Sequence, residues 1–155
     1  MKVVIIGSGN VATVMGGRAT GAGHRIVQVV ARREEAAARL AAEWNCAYTT
    51  QWGKTDAEAD IYIVSVSDRA LEGLELRLPG RLVVHTAGAV AGSVLRSVTE
   101  RWGVLYPLQS LRSEIRPYPE FPLLITAGRG RTFPLSGISP VRSARGCRRR
   151  MTRRG

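Results

Sequence analysis

The sequence predicts a single α/β domain whose sheet is mostly parallel and doubly wound. Three observations lead to this fold class: short apolar runs alternate with segments of helical length, a glycine-rich turn directly follows the first run, and 45% of the 155 residues are apolar. That apolar share is enough for a core of ordinary size. Strands that alternate with helices imply right-handed crossovers and therefore a parallel sheet covered on both faces.

The order of the predicted elements follows from the spacing of these runs. The predicted strands are short and rich in apolar and β-branched residues, and they lie at residues 2–6, 25–31, 47–49, 60–66, 81–85, 103–106 and 121–126. The predicted helices have alanines or charged residues on one face and lie at residues 10–22, 33–44, 68–76 and 92–100. The run that ends at Val66 is apolar on both faces, as expected of a central strand.

The net charge of +11 is concentrated at one end of the chain. Residues 1–127 hold 14 basic and 12 acidic residues, whereas residues 128–155 hold nine arginines and no acid. A broad nucleic-acid-binding face would carry its charge on the folded elements, so nucleic acid is not the expected partner. The two cysteines are far apart in the chain, and no apolar run is long enough to span a membrane, which together predict a cytoplasmic protein without metal.

The basic end, residues 128–155, has a composition that predicts disorder. Arg, Gly, Ser and Pro dominate it, and no helical or strand period survives. We interpret this Arg-rich tail as the product of a frameshifted or truncated reading frame, which leaves residues 1–127 as the folded domain. A genuine tail that binds nucleic acid or an acidic partner is the alternative, although no aromatic residue for base stacking lies among its arginine clusters.

The glycine-rich turn carries the strongest chemical signal. The segment Gly7-Ser8-Gly9-Asn10-Val11-Ala12 is a GxGxxA motif that follows the first predicted strand and begins the first helix. In this position Gly7 permits a tight turn, Gly9 lets the backbone approach a pyrophosphate, and Ala12 allows close packing of helix on strand. The free amides of the helix N-terminus favour an anion. The motif predicts a dinucleotide site.

The end of the second predicted strand indicates which dinucleotide binds. A site for NAD places an acidic residue there to bind the ribose hydroxyls, whereas arginine accommodates the 2′-phosphate of NADP. In this sequence the strand is followed by Arg32-Arg33, and the acids Glu34 and Glu35 come later, in the first turn of a helix. The planar guanidinium groups suit a phosphate, so the sequence predicts NADP (NADPH) as the cofactor.

Several segments together resemble a Rossmann-like oxidoreductase family of unassigned substrate, related to pyrroline-5-carboxylate reductase and to deazaflavin-dependent NADP reductases. The segments are 4–12, 22–24, 63–68, His85-Thr86-Ala87-Gly88 and Tyr106-Pro107-Leu108-Gln109-Ser110. The resemblance implies an N-terminal NADP-binding domain followed by a helical domain that completes the substrate pocket and mediates dimerisation. That helical domain is missing from this sequence, so we expect self-association through the uncovered surface and little turnover.

The resemblance also implies roles for residues at the ends of later strands. Ser65, Val66 and Ser67 would pass close to the nicotinamide and its ribose, and Thr86, Ala87 and Gly88 would form a wall beside them. His85 and Asp68 are the catalytic candidates: the histidine could donate a proton to a carbonyl or imine. The structural alternatives are a hydrogen-bonding histidine at a strand end and an acid that caps a helix. Gln109 would face the same cleft.

We therefore expect the NADP-binding domain of an oxidoreductase that transfers hydride between nicotinamide and an unidentified small substrate. One alternative is a dinucleotide-binding module without catalysis, or an inactive truncated gene product. Another is a methyltransferase, whose glycine loop also follows a strand, but whose second strand normally ends on an acid instead of arginines.

Overall fold

Seven strands form one sheet in a computed structural model that describes residues 1–107, 111–117 and 123–127. The strands are β1 (Lys2–Ile6), β2 (Arg25–Val30), β3 (Ala47–Thr49), β4 (Ile61–Val64), β5 (Leu82–His85), β6 (Arg101–Pro107) and β7 (Leu123–Ala127). Their order across the sheet is β3-β2-β1-β4-β5-β6-β7. The first six are parallel to their neighbours, and β7 is antiparallel to β6. The predicted doubly wound, Rossmann-like fold is confirmed.

The strand order reverses between β1 and β4, and this reversal determines where a ligand can bind. From β1 the chain continues outward to β2 and β3, then crosses back to β4 on the other side of β1. The connections that leave the carboxyl ends of β1 and β4 therefore run in opposite directions and leave a crevice between them. Gly7 and Ser65, which directly follow these two strands, lie at that crevice.

Three α-helices cover the sheet: α1 (Asn10–Gly21), α2 (Glu34–Trp44) and α3 (Asp68–Glu72). Helices α1 and α2 lie on one face, where Met15 packs with the strand residues Ile5 and Ile63, and Leu40 packs with Val29. Helix α3 lies on the other face, where Leu71 packs with Val4 and Val64. The central strands are buried on both faces, because β4 has no exposed residue between Ile61 and Val64. This burial on both faces explains why the sequence of the central strands is apolar without interruption.

Two predicted helices differ from the structure. The helix predicted at residues 68–76 ends at Glu72, because its C-cap is Gly73 and glycine has a low helix propensity. The helix predicted at residues 92–100 is instead a 3-10 helix from Gly92 to Ser97. A Cβ at Gly92 would lie 2.5 Å from ring carbons of Trp102, so the turn packs directly on β6. A second 3-10 helix spans Trp52–Lys54.

Some predicted features fall outside the described residues. They are Gln109, the start of the strand predicted at residues 121–126, and the whole Arg-rich tail at residues 128–155. In the parts of the chain that the structure describes, no helix combines the length and the apolar character required to cross a bilayer.

Candidate functional site

The glycine loop joins β1 to α1, and its two glycines have different roles. Gly7 is buried and has a φ of +119°, and a Cβ there would overlap the backbone carbonyl of Ser65. Gly9 has a φ of −81°, and a Cβ there would meet no atom within 4 Å. Gly7 is therefore required by the fold itself. Gly9 is the N-cap of α1 and leaves open space in front of the helix, so that the amides of the first turn face the cleft.

One half of the cleft, which we call the arginine pocket, extends from the glycine loop over the ends of β2 and β4. Its volume is about 520 Å³. It is lined by Gly7, Ser8, Gly9, Ala31, Arg32, Arg33, Trp52, Ser65, Val66, Ser67, Arg69, Ala70, Gly73 and Leu74. The structure thus brings both predicted arginines to the same cavity as the glycine loop. Ala12 is fully buried and does not line the cavity, so it contributes through packing.

Arg69 is a residue of the arginine pocket that sequence reasoning missed. It lies in α3, directly after the candidate Asp68, and lines the same cavity as Arg32 and Arg33. In the described ranges none of these three guanidinium groups forms an ion pair with a carboxylate. Three exposed cations without a protein counter-ion suit an anionic ligand. The sequence does show Arg69 as a basic residue in the segment after a central strand. Arg32 and Arg33 follow a different strand, so their proximity to Arg69 was not readable from the sequence.

Trp52 also lines the arginine pocket and was not predicted as a site residue. It starts the 3-10 helix between β3 and β4 and is half-buried, because it also packs against the core under α3. Its position beside the arginines gives the pocket an aromatic wall. Such a wall can stack on a planar base.

The other half of the cleft, which we call the tyrosine pocket, lies over the ends of β1, β4, β5 and β6. Its volume is about 470 Å³. It is lined by Gly9, Asn10, Val11, Ser65, Val66, Asp68, Thr86, Ala87, Gly88, Ala89 and Tyr106. Gly9, Ser65 and Val66 line both pockets, so the two halves meet at the glycine loop. All the predicted cofactor residues except Ala12 line one half or the other.

Hydrogen bonds order the floor and one edge of the tyrosine pocket. The Thr86 hydroxyl donates to Ser65 Oγ at 3.2 Å and joins the ends of β5 and β4. The Ser113 hydroxyl donates to Asn10 Oδ1 at 2.8 Å and so joins residues 111–117 to the glycine loop. Ser67, and not Asp68, caps α3, because its hydroxyl accepts from the Ala70 amide at 3.2 Å. The Asp68 carboxylate is exposed and is not needed as the cap.

Tyr106 forms the outer wall of the tyrosine pocket. A Cβ added at Gly88 would lie 2.6 Å from Cζ and 2.7 Å from both Cε atoms of the tyrosine. Nearly equal distances to three adjacent ring atoms mean that the ring lies face-on over Gly88. Gly88 was predicted to form part of a wall beside the nicotinamide, and in the structure its missing side chain leaves room for this ring. Tyr106 remains 37% exposed.

His85 lies next to the tyrosine pocket but does not line it. Its side chain is 0% exposed. The Ala87 amide donates to Nδ1 at 3.1 Å, so the ring proton is on Nε2, which donates to the Ala91 carbonyl at 3.2 Å. Both nitrogens therefore hold the loop that follows β5. This geometry favours the structural alternative for His85 over proton donation to a substrate.

Burial lowers the pKa of His85 below its ordinary value of 6.5, and the Ala91 hydrogen bond and the Asp68 charge oppose this effect. The unfolded chain then binds a proton at a higher pH than the folded chain does. Unfolding is accordingly favoured as the pH falls through 6.5 towards the lower, folded-state pKa. We expect the melting temperature to be lower at pH 5.5 than at pH 7.5.

A variant pair separates this effect of His85 from other titrations. His85→Asn is expected to melt lower than the unchanged chain at pH 7.5 but to lose less stability between pH 7.5 and pH 5.5. His24→Asn, which removes the second of the two histidines, is the matched control. Differential scanning fluorimetry at both pH values measures this. An unchanged pH dependence in His85→Asn would contradict the buried, neutral state of His85.

Comparison with known proteins identifies the family of this chain. Residues 2–97 match the model of the family described as NADP oxidoreductase, coenzyme F420-dependent. The chain belongs to this family. This family is one of pyridine-nucleotide-binding oxidoreductases, and the methyltransferase alternative is therefore wrong. No curated protein matches the sequence.

Solved structures of known proteins share the fold of this chain. A putative NADP oxidoreductase from Bacteroides fragilis is 36% identical, with a TM-score of 0.73 over 81% of this chain and 50% of that chain. Pyrroline-5-carboxylate reductase from Streptococcus pyogenes is 16% identical, with a TM-score of 0.64 over 83% of this chain and 49% of that chain. Prephenate dehydrogenase from Aquifex aeolicus, solved with hydroxyphenyl propionate and NAD⁺, is 15% identical, with a TM-score of 0.65 over 83% of this chain and 51% of that chain.

The chain is shorter than the proteins it matches. It spans about half the length of each of the three solved chains. The resemblance to pyrroline-5-carboxylate reductase, predicted from sequence motifs, is confirmed at the level of fold. In the described residues no group of three or more potential ligands could hold a metal ion.

Proposed function

We propose that the cleft binds NADP(H), in preference to NAD(H), as the nucleotide site of an oxidoreductase acting on a small substrate. The observation that supports this most is the arginine pocket. Arg32, Arg33 and Arg69 converge on a cavity that begins at a dinucleotide loop, and no described carboxylate neutralises them. A 2′-phosphate carries the charge and the oxygen acceptors that such a group of guanidiniums binds.

The residues present fit the rest of the cofactor as well. The open space at Gly9 and the unpaired first-turn amides of α1 would hold the diphosphate. Trp52, at the side of the arginine pocket, would stack on the adenine. The tyrosine pocket would hold the nicotinamide half, with Thr86 and Ala87 beside it. The two halves of the cleft meet at Gly9, where a dinucleotide has its diphosphate.

The bound cofactor would supply or accept a hydride at nicotinamide C4. The residues of this chain bind and orient it: the glycine loop and arginines hold one end, and the tyrosine pocket limits the position of the other. Of the two catalytic candidates, Asp68 borders the tyrosine pocket and His85 does not. His85 would act as a positioning residue, because it holds the loop after β5 that carries Ala87 and Gly88.

Cofactor choice is the first test of this proposal. NADPH is expected to bind the 155-residue chain at least about tenfold more tightly than NADH, a difference of about 1.4 kcal/mol. Replacing both Arg32 and Arg33 by alanine should remove that difference, and Arg69→Ala alone should reduce it about threefold. Isothermal titration calorimetry at fixed salt measures each affinity, since phosphate contacts are screened by ions.

A matched double variant controls for the loss of charge. Arg39 and Arg77 are exposed and line neither pocket, so replacing both by alanine removes two positive charges away from the cleft. This variant is expected to keep the preference for NADPH. Equal affinities for NADPH and NADH in the unchanged chain would overturn the assignment of the 2′-phosphate to the arginine pocket.

A further inference from the structure

The two halves of the cleft have opposite electrostatic character. The arginine pocket is lined by three arginines, whereas Asp68 is the one charged residue that lines the tyrosine pocket in the described part of the chain. The phosphates of a dinucleotide account for the arginines of the first pocket. They do not account for Asp68 in the second, because a pocket for a neutral ring needs no anion. The tyrosine pocket is suited to a ligand group that is planar and positively charged.

The position of Asp68 makes its charge effective inside this pocket. Its side chain lines the tyrosine pocket and is exposed to it rather than buried in the protein. In the described residues it has no ion-pair partner, and the capping of α3 is carried out by Ser67. Asp68 is therefore free to interact with a ligand.

The position of Tyr106 adds a second electron-rich group. One face of its ring covers Gly88, which fixes the orientation of the ring, and the exposed remainder borders the pocket. Its hydroxyl makes no hydrogen bond with any described residue. The π face of an aromatic ring attracts cations, and a contact with a cation within about 6 Å of the ring contributes about 0.5–2 kcal/mol.

We propose that Asp68 and Tyr106 make the tyrosine pocket selective for the oxidised nicotinamide ring, so that NADP⁺ binds more tightly than NADPH. This rests on the proposed function, since it assumes that the nicotinamide half occupies this pocket. The oxidised ring is a pyridinium with one positive charge, and the reduced dihydronicotinamide is neutral. Tighter binding of the oxidised form makes the bound reduced form a stronger hydride donor. The site would therefore favour reduction of the substrate.

The experiment compares three ligands on the 155-residue chain by isothermal titration calorimetry: NADP⁺, NADPH and adenosine 2′,5′-bisphosphate, which lacks the nicotinamide half. The unchanged chain is expected to bind NADP⁺ about fivefold more tightly than NADPH. Asp68→Asn and Tyr106→Leu should each lower this ratio about threefold by weakening NADP⁺ binding. Neither variant should alter the affinity for adenosine 2′,5′-bisphosphate.

Three further variants sharpen the comparison. Tyr106→Phe keeps an aromatic ring and is expected to keep the ratio. Glu72→Gln removes an exposed carboxylate from the same helix as Asp68, and Tyr48→Leu removes an exposed tyrosine on β3; both are expected to keep the ratio. A loss of the ratio in Tyr106→Phe as large as that in Tyr106→Leu would overturn the role given to the ring.

The possible outcomes distinguish this proposal from the proposed function. If adenosine 2′,5′-bisphosphate and both dinucleotides fail to bind the unchanged chain, both proposals are overturned. If all three ligands bind but NADP⁺ and NADPH have equal affinities, or their ratio is the same in Asp68→Asn and Tyr106→Leu, only the selectivity is overturned. Equal weakening of all three ligands would indicate a general structural effect and would also overturn it.

Discussion

Replacing Gly7 by alanine is expected to destabilise the domain by about 3 kcal/mol or more, a large part of the typical 5–15 kcal/mol of a domain. The φ of +119° is unfavourable for any residue with a side chain. In addition, the new Cβ would lie 2.8 Å from the backbone carbonyl carbon of Ser65 and closer still to its oxygen. A backbone group in a sheet cannot rotate away as a side chain can.

Hydrogen bonds on both sides prevent the loop from moving to relieve this overlap. The Gly7 amide donates to the Val30 carbonyl at 2.8 Å, and the Ser65 amide donates to the Ile6 carbonyl at 2.7 Å. A shift of Gly7 away from Ser65 would therefore weaken the pairing of β1 with β2 or with β4. The strain and the overlap remain in the folded state and lower its stability.

Urea denaturation followed by circular dichroism measures this effect. Gly21→Ala is the matched control, because a Cβ at Gly21, the last residue of α1, would meet no atom within 4 Å. This control is expected to be as stable as the unchanged chain or slightly more stable, since alanine is the better helix former. An unfolding free energy for Gly7→Ala equal to that of the unchanged chain would show that the loop can relax.

Replacing Gly9 by valine is expected to have the reverse pattern: the fold remains, and dinucleotide affinity falls by at least about 100-fold. The φ of −81° and ψ of −169° are extended backbone angles that valine adopts readily. A Cβ here meets no protein atom within 4 Å, so the isopropyl group would project into the cleft. Since Gly9 lies where the two pockets meet, that group would occupy the path of the diphosphate.

Calorimetric titration with NADPH, beside the melting temperature of the same variant, tests this expectation. Valine is a poor N-cap residue, so a loss of about 1 kcal/mol in stability is expected from the cap alone. Gly21→Val at the other end of α1 controls for a bulky residue on this helix and is expected to bind NADPH normally. Undiminished binding in Gly9→Val would remove the glycine loop from the site.

The fold of this protein was largely readable from local sequence. Apolar runs identify the central strands because a strand buried on both faces has no polar side, as in β4 from Ile61 to Val64. The glycine loop was also readable, because strand, turn and helix are consecutive in the chain and each glycine has a local reason. The helix predicted at residues 92–100 was wrong because tertiary packing decided its geometry: Gly92 lies against the Trp102 ring, and the segment is a 3-10 helix.

Only the tertiary structure decided which side chains share the cleft and which are withdrawn from it. Arg69 and Arg33 follow different strands, and Tyr106 comes from a third, so no spacing in the sequence relates them. They meet because the carboxyl ends of parallel strands lie at one edge of the sheet. The same packing buries His85 and uses both of its ring nitrogens, whereas Asp68, four residues beyond the end of β4, remains exposed at the cleft. Sequence patterns record the local requirements of the backbone, while the neighbours and solvent exposure of a side chain depend on long-range contacts.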